Sequence, residues 1–258
     1  MKIAVLLKQV PDTETKIRVK GDASGIESDG IKYIISPYDE FAIEEAIKTK
    51  EKSAPSEVIA VSLGPVRVVD AIRTALAMGA DKGIHIDDCG LAMDSFVTAK
   101  VLANALKNEN FDLIFTGKQA IDDDASQVSQ MVAEFLNVPQ LMLAEKFELG
   151  ADKKSATIER SVGGGTKEVY TVEFPAVIGA EKGLNTPRYA SLPGIMKAKT
   201  KPVTTLKASD LVGETKPKTT NVNFRLPPER AAGKVLQGEP EQLAQQLVKL
   251  LREEAKVI

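Results

Sequence analysis

Short apolar runs alternate with stretches of helical periodicity along the first half of the chain. The runs at 3–8, 58–61, 83–86 and 111–116 have the length of buried strands. After them, apolar residues recur at the spacing that places them on one face of a helix. Because such alternation is typical of parallel strands joined by right-handed crossovers, it predicts an α/β fold with a doubly wound, mostly parallel sheet.

The strongest helix start on the chain is Ser36-Pro37-Tyr38-Asp39. It predicts Ser36 as the N-cap, Pro37 at the first helical position, and Asp39 reaching back in a capping box. The helical pattern fades over residues 48–53. Tyr38 is either a core residue or an aromatic that stacks on a ring at the carboxyl edge of the sheet.

The segment after the first strand contains QVPD, in which Pro11 and Asp12 indicate a turn. No glycine occurs there, so the G-x-G-x-x-G fingerprint of dinucleotide-binding folds is missing from its expected place. Further on, residues 16–19 and 25–27 flank a polar stretch and predict a hairpin.

The pattern changes after Pro139. Alternating runs at 141–149, 156–160 and 168–174 predict strands joined by tight turns. The triple glycine at 163–165 lies between two such runs and no helix follows it, so a hairpin turn is favoured over a phosphate cradle. The run at 176–180 predicts one more buried strand of the main sheet.

Residues 183–236 are rich in Pro, Thr and Lys and show weak periodicity, which predicts a structureless arm. A basic part of this arm carries several apolar residues: Tyr189, Leu192, Ile195 and Met196. It is either a solvated linker or a binding anchor, because a few buried apolar residues dominate most interfaces. Pro240 then begins an amphipathic helix.

The loop from Gly117 to Val128, GKQAIDDDASQV, joins the fourth predicted strand to the next helix. Such loops lie at the carboxyl ends of strands, where ligands bind, and the N–H groups of the following helix attract an anion. Gly117 allows a close backbone approach, and Lys118 can contact a phosphate. The aspartates at 122–124 cannot all face a phosphate, because each like-charge contact costs about 4 kcal/mol at an effective dielectric near 20.

We therefore expect one of these aspartates to cap the helix, and another to accept hydrogen bonds from ribose hydroxyls or to hold Lys118. The alternative interpretation of the same charge pattern is a capped helix preceded by a solvated acidic loop.

Composition excludes several kinds of chemistry. The formal net charge is -2, so the chain has no overall electrostatic attraction to nucleic acid or to an anionic membrane. No apolar run is long enough for membrane insertion. Cys89 and His85 are the only residues of their types, which excludes internal disulfides and a His/Cys metal cluster. The first strand follows Met1 directly without a signal peptide, so we expect a cytoplasmic protein. A bound cofactor would have to supply any redox chemistry.

Several motifs together resemble the β subunit of the electron transfer flavoproteins over essentially the whole chain. They are LLKQVPD, the helix start at 36–39, AIRTALAMGAD, GKQAIDDD and TPRYASLPGIMKAK. The resemblance implies a Rossmann-like, adenine nucleotide alpha hydrolase-like sheet with a β-hairpin insertion and an extended C-terminal arm. Residues 1–182 would form the AMP-binding domain, and 183–258 an arm whose recognition loop and terminal helix serve partners.

The resemblance also implies a function. The chain would pair with an α subunit that makes most of the contacts to one FAD, while this subunit binds AMP. Electrons would enter from dehydrogenases such as acyl-CoA dehydrogenases and leave to a membrane quinone oxidoreductase. This subunit would be an electron carrier without catalytic side chains, cytoplasmic in a bacterium and in the mitochondrial matrix in a eukaryote.

Site residues follow from the motifs by resemblance. The AMP-binding positions are Leu6, Ser36, Pro37, Tyr38, Asp39, Leu63, Gly117, Lys118, Gln119, Ala120, Ile121, Asp122, Asp123, Asp124, Ala125, Ser126, Gln127 and Val128. The positions near FAD are Thr13, where relatives often have an aromatic, and Tyr38. The partner-recognition positions are Arg188, Tyr189, Leu192, Ile195, Met196 and Lys197, with Leu192 as the anchor.

One position separates subclasses. Bifurcating relatives, which bind a second FAD in place of AMP, have glycine where this chain has Asp123, and a side chain there would crowd and repel an extra phosphate. We therefore expect the AMP-binding type. Two other classes stay open: a free-standing adenine-nucleotide sensor, which would not need the arm, and a nucleotide hydrolase, disfavoured because no Walker lysine motif is present.

Overall fold

The computed structural model describes residues 1–229 and 232–258. The strands are β1 (Lys2–Leu7), β2 (Gln9–Pro11), β3 (Tyr33–Ile35), β4 (Glu57–Gly64), β5 (Lys82–Asp87), β6 (Leu113–Gly117), β7 (Gln140–Leu149), β8 (Ser155–Ser161), β9 (Lys167–Glu173), β10 (Ala176–Ala180) and β11 (Val203–Lys207). The helices are α1 (Pro37–Lys52), α2 (Val69–Met78), α3 (Ser95–Leu106), α4 (Val128–Leu136), α5 (Leu192–Ala198), α6 (Ala208–Leu211) and α7 (Pro240–Lys249). A 3₁₀ turn, Val66–Val68, precedes α2, and a π turn, Leu250–Glu254, follows α7.

The main sheet has the order β11-β5-β4-β1-β6-β10-β7-β8-β9 within the described chain. Neighbours from β11 to β7 are parallel, while β8 and β9 form the predicted antiparallel insertion. The chain adds β4 and then β5 on one side of β1 and places β6 on the other. The strand order therefore reverses between β1 and β6, which is where open α/β sheets bind ligands.

Helices cover both faces of this sheet, and alternate residues of β1 show how. Ile3, Val5 and Leu7 pack with α1 and α2, whereas Ala4 and Leu6 pack with α3 and α4. Side chains alternate across a strand, so an uninterrupted apolar run fills both layers. The predicted doubly wound α/β fold is confirmed.

Three local predictions differ from the structure. The turn expected at Pro11 is instead a short strand, since β2 pairs antiparallel with β3 outside the main sheet, where proline is tolerated on an edge. The hairpin expected over 16–27 is reduced to one antiparallel bridge, Val19 with Ile26. Helix α1 continues to Lys52, and the Ser53 hydroxyl after it donates to the Thr49 carbonyl oxygen at 2.6 Å.

The prediction of a structureless arm is wrong for its first part. Strand β11 pairs in parallel with β5 at the edge of the main sheet, and the buried Ala198 of α5 joins the core beside α2. The run VTTLK is rich in β-branched residues, a strand signal that the surrounding lysines obscured.

Contacts divide the chain into two compact units. One contains Met1–Ile17 with Glu27–Val222, and the other contains Arg18–Ile26 with Asn223–Ile258. The division predicted after residue 182, between an AMP-binding domain and an arm that serves partners, stays a prediction. Helix α7 begins at Pro240 as the sequence indicates, and none of its residues is buried. No helix in the described ranges has the length and apolarity to cross a bilayer.

Candidate functional site

The point where the strand order reverses is held together by one carboxylate. Asp39, in the first turn of α1, is only 6% exposed. Its Oδ2 accepts from the backbone N–H of Lys8, just after β1, at 2.7 Å, and its Oδ1 accepts from that of Gly117, at the end of β6, at 2.9 Å. Asp39 thus joins three segments that are distant in sequence.

This arrangement contradicts the predicted capping box. The backbone N–H of Ser36 donates to the carbonyl of Lys8 at 2.9 Å, and the Ser36 side chain makes no cap hydrogen bond. Asp39 turns away because the buried amides at the two strand ends need an acceptor, and an unpaired buried N–H is costly.

Burial also changes the acidity of Asp39. Removal from water raises the pKa of Asp39 to about 7, against the opposing effect of the two backbone hydrogen bonds and of the Lys8 ammonium. The nearby Asp122 carboxylate raises it further. The link between β1 and β6 therefore contains a group that titrates near neutral pH.

Gly117 is required where β6 ends. A Cβ at this position would lie 2.5 Å from Asp39 Oδ1, 2.7 Å from Tyr38 Cβ and 2.9 Å from the Tyr38 carbonyl carbon. Two of these neighbours are fixed by the first turn of α1, so they cannot move aside as the end of a flexible side chain would. The close backbone approach expected at this glycine is present, and it is an approach to α1.

The acidic residues of the loop are paired, and Lys8 is the partner that sequence reasoning missed. Its ammonium lies 2.8 Å from Asp122 and 2.9 Å from Asp123. Burial lowers the pKa of Lys8, but the two carboxylates outweigh it and leave the pKa raised. The available signal was its position directly after β1, at the same sheet edge as the loop.

Lys118 is held by Glu181 rather than by an aspartate of its own loop, so the alternative in which one of the three aspartates holds Lys118 is wrong, and the ribose alternative stays a prediction. Its ammonium lies 2.7 Å from Glu181 and 4.7 Å from the centre of the Tyr38 ring. Glu181 follows β10, whose last residue accepts the backbone hydrogen bond of Lys118 at 3.0 Å. Strand pairing therefore brings Glu181 to Lys118, and the Tyr38 ring serves as a face for a cation.

None of the three aspartates caps α4, which is a second correction. The N-cap is Gln127, and it makes no side-chain cap hydrogen bond. Asp124 instead accepts from the Gln119 amide at 2.6 Å, and the Ser126 hydroxyl donates to the Lys118 carbonyl at 3.1 Å. Because the carboxylates are engaged elsewhere, the first N–H groups of α4 have no side-chain acceptor and suit an anion.

Two hydroxyls near this edge are buried without a hydrogen-bond partner in the described protein: Ser36 Oγ and Thr116 Oγ1. Strand alternation places Thr116 on the α3 and α4 face, together with Leu6 and Leu63. Buried polar groups normally have partners, so each orphan hydroxyl indicates a missing ligand or water. Thr116 was not among the predicted site residues, although a threonine ending an apolar run was a visible signal.

The other predicted AMP positions lie along the same three segments. Pro37 begins α1, Val128 begins α4, and the rest are half-buried residues of the loop before α4: Ala120, Ile121 and Ala125. Thr13, the second predicted flavin neighbour, is exposed, and its hydroxyl donates to Asp12 at 3.4 Å.

The predicted recognition residues form an exposed apolar surface. Tyr189 is 98% exposed, Leu192 79%, Met196 64% and Ile195 43%. We call these four residues the apolar patch. The segment is not a solvated linker, because Leu192 begins α5 and the Ser191 hydroxyl caps that helix by accepting from Gly194 N–H at 3.1 Å. Lys197 is exposed beside the patch, whereas Arg188 turns inward to carboxylates of α1.

A doubly wound parallel sheet with a charged, glycine-led loop at its switch point defines an α/β ligand-binding protein. Residues 25–211 match the electron transfer flavoprotein domain. The chain is 45% identical over 258 residues to electron transfer flavoprotein subunit beta, mitochondrial, from Arabidopsis thaliana, with both chains fully covered. It is 45% identical over 236 residues to the Mus musculus subunit beta, covering 90% of this chain and 91% of that one.

The Bacillus subtilis electron transfer flavoprotein subunit beta is 43% identical over 263 residues, again covering both chains fully. This chain therefore belongs to the electron transfer flavoprotein β-subunit family.

Replacing Gly117 with alanine tests the packing of β6 against α1. We expect Gly117→Ala to lower the free energy of unfolding by about 1–3 kcal/mol, because the new methyl group overpacks against Tyr38 and Asp39. Urea unfolding would measure it. Gly21→Ala is the matched control, since a Cβ at Gly21 meets nothing within 4 Å. Equal effects of the two substitutions would contradict the proposed contact.

Replacing Asp39 with asparagine tests its titration. The folded-state pKa of about 7 exceeds the ordinary 3.8, so the folded state binds the proton more tightly. The stability contributed by this proton is complete below the ordinary pKa and is lost as the pH rises through about 7. Relative to Asp39→Asn, the wild type should therefore lose at most about 1.4 kcal/mol per pH unit across that window.

Urea unfolding over a pH series would measure this slope, separately from any constant loss caused by the asparagine N–H₂ facing a backbone donor. Asp70→Asn, at an exposed position in the first turn of α2, controls for the loss of a helix N-terminal carboxylate. A stability difference between wild type and Asp39→Asn that does not change with pH would refute the raised pKa.

Proposed function

We propose that this chain is the β subunit of a heterodimeric electron transfer flavoprotein. In the proposal it pairs with an α subunit that makes most of the contacts to one FAD. It shuttles electrons from dehydrogenases such as acyl-CoA dehydrogenases to a membrane quinone oxidoreductase. The relatives named above support this proposal over a free-standing nucleotide sensor. We further propose a cytoplasmic location in a bacterium, or the mitochondrial matrix in a eukaryote.

The observation that carries the nucleotide part of the proposal is the pair of buried hydroxyls without partners at the β1–β6 switch point. Thr116, Leu6 and Leu63 share one face of the sheet, so they offer apolar surface and one hydroxyl to an adenine base. Ser36 offers its hydroxyl from the start of α1. The uncapped N-terminus of α4 suits the phosphate of AMP.

Asp123 supports AMP in preference to a second FAD. Its carboxylate lies 2.9 Å from the Lys8 ammonium and accepts from the Ala125 N–H at 3.2 Å. A larger nucleotide with a further phosphate at this position would have to displace a paired carboxylate and meet its charge. We therefore propose the non-bifurcating subclass.

FAD, when bound, accepts and gives up the electrons, so this subunit needs no catalytic side chain. We propose that Tyr38 and Thr13 border the flavin from this subunit. Tyr38 is half-buried against Gly117 and already carries the Lys118 ammonium near its ring. The position of Tyr38 is therefore fixed from two sides, which suits a residue that borders the flavin.

The apolar patch supports a docking role. Monomeric proteins seldom leave several large apolar side chains exposed together unless they meet a partner. Leu192 is the most exposed aliphatic member, and it begins a capped helix. We propose that it enters a pocket on the dehydrogenases.

Nucleotide analysis of the purified α–β complex tests the ligand assignment. On denaturation we expect one FAD and one AMP per heterodimer. In Thr116→Val the AMP content should fall while the FAD content is unchanged, because valine keeps the shape and removes only the hydroxyl. Liquid chromatography of the released nucleotides measures both.

Thr74→Val is the matched control, since Thr74 is an exposed residue of α2. Two flavins per complex without AMP would rule out the proposed subclass. Full AMP retention in Thr116→Val would remove Thr116 from the nucleotide site.

Replacing Leu192 with alanine tests the docking role. We expect the apparent KM of an acyl-CoA dehydrogenase for the complex to rise about five- to thirty-fold, as for an interface hot spot, with little change in stability. Steady-state electron transfer from the dehydrogenase to the complex measures this. Val222→Ala, which shortens a residue that is 71% exposed outside the patch, is the control. An unchanged KM with every dehydrogenase tried would remove Leu192 from docking.

A further inference from the structure

Arg188 directly precedes the apolar patch, and its guanidinium is paired with carboxylates of α1. The Arg188 guanidinium makes a two-pronged contact with Glu44, Nε to Oε2 at 2.8 Å and Nη2 to Oε1 at 3.0 Å. The same guanidinium reaches Glu51 through Nη1 to Oε1 at 2.7 Å. The Arg188 backbone N–H also donates to Glu44 Oε2 at 3.1 Å. Main chain and side chain of this residue are therefore both tied to α1.

The burial of the two carboxylates differs. The Glu44 side chain is 6% exposed, whereas that of Glu51 is 53% exposed. A buried carboxylate needs a charged, hydrogen-bonded partner, so Glu44 fixes Arg188 more strongly than Glu51 does. Asn185, three residues earlier, strengthens this attachment by donating to Glu45 and to the Phe41 carbonyl, both at 2.9 Å. The chain entering the patch is thus fastened along one face of α1.

The chain leaving the patch is fastened to α2. The Arg73 guanidinium donates to the carbonyls of Ala198 and Lys201, both at 2.7 Å. The Lys201 ammonium in turn donates to the Leu76 carbonyl at 2.9 Å. Between these anchors, a Cβ at Gly194 would overlap the Ala77 carbonyl oxygen, so α5 is in close backbone contact with α2.

We propose that Arg188, paired with Glu44, is a positioning residue that holds the apolar patch in its docking conformation before any partner arrives. This inference rests on the proposed docking function. It changes the role expected for Arg188 from the sequence, which was direct recognition of a partner. The donors of its guanidinium point at α1, and a residue so engaged has little left to offer a second protein.

The physical reason concerns the entropy of binding. A loop that must become ordered when it docks loses affinity, and a loop that is already ordered does not. The apolar patch gains from such ordering, because its four exposed side chains then meet a partner in one fixed arrangement. Lysine cannot replace arginine here, since one ammonium cannot form the two-pronged contact with Glu44 and reach Glu51 as well.

Arg188→Lys in the purified α–β complex tests the proposal. We expect backbone amides of residues 189–199 to exchange hydrogen at least about tenfold faster, while the main sheet is unchanged. With an acyl-CoA dehydrogenase, we expect KM for the complex to rise about three- to tenfold and kcat to stay the same. Arg225→Lys makes the same exchange at an exposed position and is the control.

A second comparison separates positioning from contact. Leu192→Ala should raise KM without accelerating exchange of the segment, because it removes a contact and no anchor. In the Leu192→Ala background, Arg188→Lys should raise KM by less than it does alone, since residues acting through one element are not additive. Glu51→Gln should show the same changes as Arg188→Lys, but smaller. In that variant Arg188 keeps its stronger partner, Glu44.

The outcomes divide clearly. A raised KM with normal hydrogen exchange would make Arg188 a contact residue and overturn the proposal. Faster exchange with an unchanged KM would also overturn it, because ordering would then be irrelevant to docking. If Leu192→Ala itself has no effect on any dehydrogenase, the docking function fails, and this is seen independently of the exchange result for Arg188→Lys.

Discussion

The hydrogen bonds between Asp39 and the backbone N–H groups of Lys8 and Gly117 are the constraint on which the edge of the sheet at the β1–β6 switch point depends. A carboxylate that is 6% exposed would be strongly destabilising without donors, and two strand-end amides would be costly without an acceptor. The two amides supply the donors that the carboxylate needs, and the carboxylate supplies the acceptor that they need. The result fixes the start of α1 between the ends of β1 and β6. Gly117 lets the end of β6 come close enough to α1 for these hydrogen bonds to form.

A second consequence of this geometry concerns charge. Lys8 pairs with both Asp122 and Asp123, which leaves one negative charge in excess, while Lys118 pairs with Glu181, so both lysines are engaged within the protein. In the proposed nucleotide site, a phosphate would meet the first N–H groups of α4, which lack a side-chain cap, and ammonium groups that already have partners. Under the same proposal, each additional phosphate would add repulsion from carboxylates that are already in place, so a small nucleotide would be favoured.

Much of this architecture could be predicted from the sequence because it depends on short-range pattern. Apolar runs gave the strands, their alternation with helices gave the doubly wound sheet, and the glycine-led loop lay at the sheet edge where ligands bind. Which charged groups meet there was not predictable. Asp39 is 31 residues from Lys8 and 78 from Gly117, and spacing along the chain says nothing about pairs that only strand order brings together. For the same reason, the sequence offered only the aspartates of its own loop as partners of Lys118, whereas strand pairing brings Glu181 to it. Thr116 was not predicted, because it ends an apolar run whose pattern indicates only a buried strand.

The segment that carries the apolar patch shows the same limit of prediction from sequence. Its composition resembles that of a linker, yet Arg188 and Lys201 attach it to the protein through partners more than a hundred positions away. Composition indicates only that a segment cannot bury enough of its own surface to become ordered by itself. This segment is ordered by buried carboxylates and helix-end carbonyls elsewhere in the protein. Glu44 and Glu51 lie seven residues apart, which places them two turns apart on one face of α1. Since Asp39 lies in the first turn of the same helix, one rigid element supports both the switch-point edge of the sheet and the segment that carries the apolar patch. The position of α1, fixed by its first turn, therefore sets the geometry of both surfaces.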